Sequence, residues 1–377
     1  MPGEHLSGRC APGFLCALLS LCIARPLHTE ASQLIVDQPH KKPASTRDHA
    51  FLLRARENGG MTLPRSAEFH DDKLAGGDTI VSYPRGDTSN SAIVLHVEQL
   101  TSDGLPQQRW AVLLDATSCH PVDAAWPDQG ADRGRLLLAA SAHVDQSEAA
   151  HTRQIIDCVV AASDGTALYL GSEIPVRKGT EGWAFVVAHI VDDASGIVEG
   201  ERVELTVDEG YRRALSLGHT SCHLAALALN RALAARWSKE TRLDGLGQPD
   251  FDSAAMESSR IVENGAVDVY RLNKSLRRKG FAVDSLGEEL SRIESAVNAT
   301  LGEWMATGAA VRVEAQGPRL TDRRSWVCEL PEGTANIPCG GTHATSLAEL
   351  GDARVILSLD EADGTTSLTM TTTVSGS

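Results

Sequence analysis

Tyr211-Arg-Arg-Ala-Leu-Ser-Leu-Gly-His-Thr-Ser-Cys-His-Leu-Ala-Ala-Leu-Ala-Leu-Asn-Arg-Ala-Leu-Ala-Ala-Arg-Trp237 decides how this chain is read. The run is rich in Ala and Leu, lacks proline and holds one internal glycine, Gly218. It predicts a buried or half-buried helix. His219 and His223 are one helical turn apart, so both imidazoles share a face. Chance pairs of this kind are common. A second segment makes this one informative: Cys339-Gly-Gly-Thr-His343 again spaces two donors four apart. The paired glycines let the backbone turn tightly, and Pro338 helps fix the entry. Three imidazoles and a thiolate suit Zn2+. Cys222 is a fifth donor, but it lies roughly 100° around the helix from His223 and reads as core packing. Four protein donors make a closed, structural site, whereas catalytic zinc keeps a position for water or substrate. Either one donor is displaced or weakly bound, or the metal mainly organises the pocket.

Working outward, a second helix follows. Ser285-x-x-Glu288 has the form of a capping box, and Leu286, Leu290, Ile293, Val297, Leu301 and Met305 make an apolar stripe that Gly308 ends. Val311–Ala315, Arg354–Leu359 and Thr365–Val374 read as strands, the last two joined by a turn at Asp363-Gly364. Upstream, Ser91–Val97, Trp110–Leu114, Ile155–Val160 and Trp183–His189 are short strands between Gly, Asp and Ser clusters, as in a small barrel or sandwich. The expected fold class is α+β. A small β-barrel domain over 61–205 precedes an α+β zinc-binding domain over 206–377, with a mainly antiparallel sheet. Residues 1–60 read as a disordered or targeting extension. Phe14–Ala24, preceded by Arg9, has the pattern of a signal-peptide core and is too short to span a bilayer. The alternatives are a mitochondrial targeting stretch or a start placed upstream of Met61, and His40–Asp48 reads as a linker.

The 377 residues suffice for two or three domains, and 42% hydrophobic with 23% charged residues is an ordinary globular balance. The net charge of −15 argues against a general nucleic-acid coat, though a local basic patch is compatible with it. The best patch is Arg271-Leu-Asn-Lys-Ser-Leu-Arg-Arg-Lys279, with five basic residues and no acid. Read as a helix, it places Arg271, Lys274 and Arg278 on one face, with Arg277 and Lys279 beside them. Arg212, Arg213, Arg319, Arg323 and Arg324 are candidates to extend it. A solvated helix would have the same composition. The eight cysteines are scattered, as reduced thiols of an intracellular protein are. The expected location is the cytoplasm, with mitochondria or secretion as alternatives if the apolar stretch is a targeting signal.

His219-Thr-Ser-Cys-His223 and Cys339-Gly-Gly-Thr-His343 resemble the two zinc motifs of the alanyl-tRNA editing family, which includes the editing domain of alanyl-tRNA synthetase and a related domain of threonyl-tRNA synthetase. Trp326-Val-Cys-Glu-Leu-Pro331 ahead of the second motif also fits. So do Leu114-Asp-Ala-Thr117, Gln129-Gly-Ala-Asp-Arg-Gly134 and Val203-Glu-Leu-Thr-Val-Asp208, in consistent order over about residues 64–372. The resemblance implies zinc on His219, His223, Cys339 and His343, and hydrolysis of the ester joining serine or glycine to alanine tRNA. Thr220, Thr342 and Gln129 are then candidates to hold the water or the amino acid. Where the family has a glycine run before the glutamine, this chain has Val122-Asp-Ala-Ala-Trp-Pro-Asp128, a longer and stiffer loop with two acids. The motif for an ATP-binding synthetase core is not visible, so charging of tRNA is not expected, nor is a membrane partner. A non-catalytic relative that binds tRNA or protein, or a zinc hydrolase of another aminoacyl ester, are the competing readings.

Overall fold

The computed structural model describes residues 77–100, 108–138, 151–362 and 364–376, all within one compact unit, Ala44–Ser377. Phe14–Ala24, His40–Asp48, Met61, Cys10, Cys16, Cys22 and Asp363 lie outside the described residues.

The first part is strands: β1 (Ile80–Val81), β2 (Ser89–Leu100), β3 (Arg109–Leu114), β4 (Ala116–Thr117), β5 (Gly134–Leu138), β6 (Thr152–Ser163), β7 (Leu168–Leu170), β8 (Ala184–Val191) and β9 (Arg202–Val207). β1 pairs in parallel with β4. The other seven form an antiparallel sheet in the order β5-β9-β2-β3-β8-β6-β7, and β5 pairs with β6 as well as with β9. Alternating side chains pack inward: Val94, Val112, Leu114, Leu136, Phe185 and Leu205 are all buried in one apolar cluster.

The long helix follows as α1 (Glu209–Leu233), continued by a 3-10 turn at Ala234–Arg236. The Asp208 carboxylate caps it, accepting the Tyr211 N–H at 3.0 Å. Then come α2 (Phe251–Ala255), β10 (Met256–Val262), β11 (Gly265–Arg271), α3 (Lys274–Arg278), α4 (Leu286–Met305), β12 (Val311–Ala315), β13 (Arg324–Leu330), β14 (Gly333–Pro338), β15 (Ala353–Ala362) and β16 (Thr365–Val374). They form two antiparallel sheets, β10-β11-β16-β15 and β12-β13-β14. The apolar faces of α1 and α4 share one core, with Leu224, Leu229, Val297, Trp304, Trp326 and Met370 at its centre. The described chain is therefore a mixed fold of mostly antiparallel sheets and a few helices, as the α+β reading expects at that level. None of the described helices is long and apolar enough to cross a membrane.

Three sequence expectations are corrected. Ser285 sits at φ 57° and makes no cap; its hydroxyl donates instead to the Asp284 carbonyl at 2.6 Å. The basic stretch is not one helix. Arg271 ends strand β11, Leu272 is buried, and Asn273 caps the one-turn helix α3 by accepting the Leu276 N–H at 2.9 Å. Arg212 and Arg324 are buried, so neither extends a surface patch. Arg212 is ion-paired with Asp132 and donates to the Ser118 carbonyl at 2.7 Å, and Arg324 donates to the carbonyls of Leu320 and Arg319.

Candidate metal centre

α1 presents His219 and His223 from consecutive turns, and the segment after β14 brings Cys339 and His343 to meet them. One donor atom from each of the four lies within 4.8 Å of all the others. Cys339 Sγ is 3.4 Å from His219 Nε2 and 3.3 Å from His343 Nε2. With zinc bonds of about 2.3 Å to sulfur and 2.0 Å to nitrogen, a tetrahedron has S···N edges of about 3.5 Å. The two edges fit that ion.

Hydrogen bonds on the far side of the rings set their tautomers. His219 Nδ1 gives its proton to Gln129 Oε1 at 2.7 Å, which leaves Nε2 unprotonated toward Cys339. His343 Nδ1 lies 3.4 Å from Thr220 Oγ1, which also accepts the Ala344 N–H at 3.0 Å. His223 Nε2 is buried with no hydrogen-bond partner among the described residues, an arrangement a metal ion would satisfy. The Gly341 N–H points at Cys339 Sγ from 3.5 Å. A Cβ on Gly341 would stand 2.4 Å from His219 Cε1 and 2.6 Å from Gln129 Oε1, so the loop closes only with glycine there.

Burial holds the imidazoles neutral. It pushes His219 and His223 down to about 3, helped by His120 for the first and His219 for the second, and pushes His343 well below the ordinary value. Neutral imidazole is the form that binds metal. Burial likewise pushes the Cys339 thiol up to about 12; a bound divalent cation deprotonates such a thiol. The residues present fit zinc.

Of the residues singled out from the sequence, Gln129, Thr220 and Thr342 all reach this cluster. Gln129 is 1% exposed; it accepts the Thr342 N–H at 3.0 Å and donates to Thr342 Oγ1 at 2.9 Å. All three are turned toward the metal donors and their supports. Cys222 points away, toward the Asp268 carboxylate, with both oxygens 3.6 Å from its sulfur. Arg271, Lys274, Arg277, Arg278 and Lys279 are exposed. Arg271 is paired with Glu257, and Lys279 Nζ donates to the Ala254 carbonyl at 3.3 Å.

Sequence reasoning missed two neighbours. Ser216 donates to Thr342 Oγ1 at 2.8 Å; its place three residues before His219, on the same helix face, is the signal that was there to find. Asp128 places Oδ2 3.7 Å from His219 Nε2. A second buried cluster, Cys119, Cys158 and His189, lies in the strand region. There His189 Nδ1 meets the Val112 carbonyl at 3.0 Å and Nε2 meets Thr117 Oγ1 at 2.8 Å, so both ring nitrogens are engaged.

Three of the donors, His219, His223 and Cys339, lie on the wall of a cleft of about 1270 Å³ whose lining includes Trp126, Asp128, Asn230, Arg242, Arg323 and Gly340. The loop before Gln129 forms part of it. Val122 donates to the Cys158 carbonyl at 2.8 Å, and Asp128 receives the Ile261 N–H at 2.8 Å, so the loop is tied at both ends.

No protein-family model matches the chain. Among curated proteins, it is 29% identical over 205 residues to an alanine–tRNA ligase of Frankia alni, covering 53% of this chain and 21% of the ligase. It is 27% identical over 183 residues to the alanine–tRNA ligase of Ruegeria pomeroyi, covering 46% of this chain and 19% of that protein. It is 26% identical over 179 residues to the alanyl-tRNA editing protein AlaX-M of Pyrococcus horikoshii, covering 47% of this chain and 64% of that protein. The chain thus spans about a fifth of the two ligases and just under two thirds of the editing protein. These relatives, and both histidine motifs meeting at one point, support the alanyl-tRNA editing family at modest identity.

Proposed function

We propose that the protein is a zinc-dependent aminoacyl-tRNA deacylase that removes serine or glycine from mischarged alanine tRNA, acting in trans in the cytoplasm as a translation-fidelity enzyme. The observation that carries this reading is the convergence of His219, His223, Cys339 and His343 at one point, with the first three on the wall of a cleft. Its volume of about 1270 Å³ exceeds the about 300–1,000 Å³ of an ordinary small-molecule pocket, as an aminoacyl-adenosine terminus requires. In this reading residues 206–377 are the editing domain and 61–205 a small β-barrel. The pairing of β5 with both β9 and β6, which returns six strands on themselves, supports the barrel.

Zinc held by the four residues would supply Lewis acidity toward a water or the ester carbonyl. The chain's own part is positioning. Gln129, Thr220 and Thr342 fix the rings, the cleft orients the terminal ribose, and the reactive ester then needs only a placed water to break into an amino acid and a free ribose hydroxyl. Arg271, Lys274, Arg277, Arg278 and Lys279 would take tRNA phosphates, with Lys239 beside them. The Trp126 and Asp128 side chains lining the cleft favour one competing reading, a relative that binds tRNA without turnover.

The test is deacylation of seryl- and glycyl-tRNA carrying the alanine anticodon. The zinc-loaded protein should release the amino acid, and His219→Ala or a chelator should abolish release. Lys274→Glu with Arg278→Glu should raise KM. Retention of tRNA with no release would establish the non-catalytic relative instead.

A further inference from the structure

The loop from Pro121 to Gln129 carries two acids, and the fold treats them differently. Asp123 is neutralised: its Oδ1 accepts the Ala125 N–H at 3.0 Å, and its Oδ2 pairs with Lys178. Asp128 is turned the other way. Its Oδ1 accepts the Gln129 N–H at 2.7 Å, and its Oδ2 lies 3.7 Å from His219 Nε2. That separation is too long for a hydrogen bond. His219 also has no proton to offer there, because its N–H is given to Gln129 on the opposite side of the ring. Among the described residues no lysine or arginine forms an ion pair with Asp128. Its side chain is 19% exposed, and it lines the cleft beside Cys339 and Gly340. The backbone holds it in place through the Ile261 N–H.

A carboxylate largely removed from water and without a lysine or arginine partner is costly to keep, and zinc on the neighbouring His219 would offset only part of that cost. It becomes favourable when a cation enters beside it. We propose that Asp128 is the subsite for the primary ammonium of the aminoacyl group, so that the cleft selects esters of amino acids with a free α-amino group over N-acylated ones. This rests on the deacylase reading. The ammonium is one carbon from the ester carbonyl, so anchoring it beside His219 brings the scissile bond to the metal donors. N-acylation removes both the charge and the space. The acid also repels phosphate from the same point, so the backbone of the nucleic acid stays at the rim.

The experiment compares seryl-tRNA with N-acetylseryl-tRNA on zinc-loaded wild type, Asp128→Asn, Asp128→Ser and the control Asp123→Asn. Wild type and Asp123→Asn should favour the free amine by roughly 10–100-fold in kcat/KM, the range of a charge-assisted hydrogen bond. Asp128→Asn and Asp128→Ser should bring the ratio near one, chiefly through KM, with zinc content unchanged. An unchanged ratio overturns the proposal. So does loss of zinc affinity with the ratio intact, which would make Asp128 a partner of the metal. Calorimetric binding of the non-hydrolysable seryl amide of 3′-amino-3′-deoxyadenosine and of its N-acetyl form separates the two readings. If no tRNA is turned over, the deacylase reading fails. The ammonium subsite then stands if wild type prefers the free amine and the Asp128 variants do not, and it falls if both amides bind equally or neither binds.

Discussion

Gln129 engages three groups with one amide: it accepts from His219 Nδ1 and from the Thr342 backbone, and donates to the Thr342 hydroxyl. Its oxygen is therefore what fixes the tautomer of His219. Groups that orient a metal-binding imidazole in this way typically contribute 10–100-fold in metal affinity. Gln129→Ala should weaken zinc binding by about that factor, read in a competition titration against a chromophoric chelator. Gln129→Glu, which keeps the acceptor, should lose less. Equal affinity in all three proteins would mean that the ring is held by packing alone. The sequence pointed to Gln129 through its family motif and left open whether it meets substrate or loop backbone. Its distance to His219 settles which side chain it touches. Sequence could not supply that contact, because 90 residues separate the pair.

At the scale of elements, α1 aims both histidines, and Gly218 sets how close α1 lies to its neighbours. A Cβ there would be 2.4 Å from the Val262 carbonyl oxygen and 2.5 Å from that of Gly265. Both are backbone atoms of the β10–β11 turn and cannot swing aside. In an isolated helix Gly→Ala stabilises by about 1 kcal/mol. Here Gly218→Ala should instead destabilise by about 1–3 kcal/mol, the usual cost of overpacking. A urea melt gives the sign directly, and a gain in stability would show that α1 can move off the turn. The helices and most strands were legible because backbone geometry writes itself into local periodicity. α1 begins and ends within a few residues of the expected limits, and the apolar stripe from Leu286 to Met305 spans α4. Local motifs failed where tertiary contacts override them. Ser285 adopts a left-handed backbone that turns its hydroxyl away from the helix. Arg212 read as surface charge because its partner, Asp132, is 80 residues away.

For the molecule as a whole, buried titratable groups determine how stability follows pH once the metal is stripped. Burial depresses His120 to about 4, His219 and His223 to about 3, and His343 well below 6.5. For each, the unfolded chain takes up its proton first, so stability is lost as pH falls below about 6.5. Burial raises Asp252 to about 7 and Asp268 to about 6. These act with the opposite sign: the folded chain holds their protons longer, so their contribution is complete below about 4 and is lost as pH rises toward 7. Asp128 and His96, also raised, act with the same sign as these carboxyls, but the four histidines carry the wider shifts, and metal-free protein should lose stability on acidification from pH 7 to 5. Asp252→Asn isolates one member of the opposing group. Its side-chain oxygen can still accept the Tyr270 hydroxyl, now 2.9 Å from Asp252 Oδ1, so packing is conserved. The variant should come closest to wild type near pH 4, where Asp252 is protonated in the fold and the unfolded chain has only begun to lose that proton, and surpass it increasingly up to pH 7. Urea midpoints measured in chelator between pH 4 and 8 decide the matter. A constant offset at every pH would attribute the change to packing, and no offset at pH 8 would mean that Asp252 is not held protonated by burial.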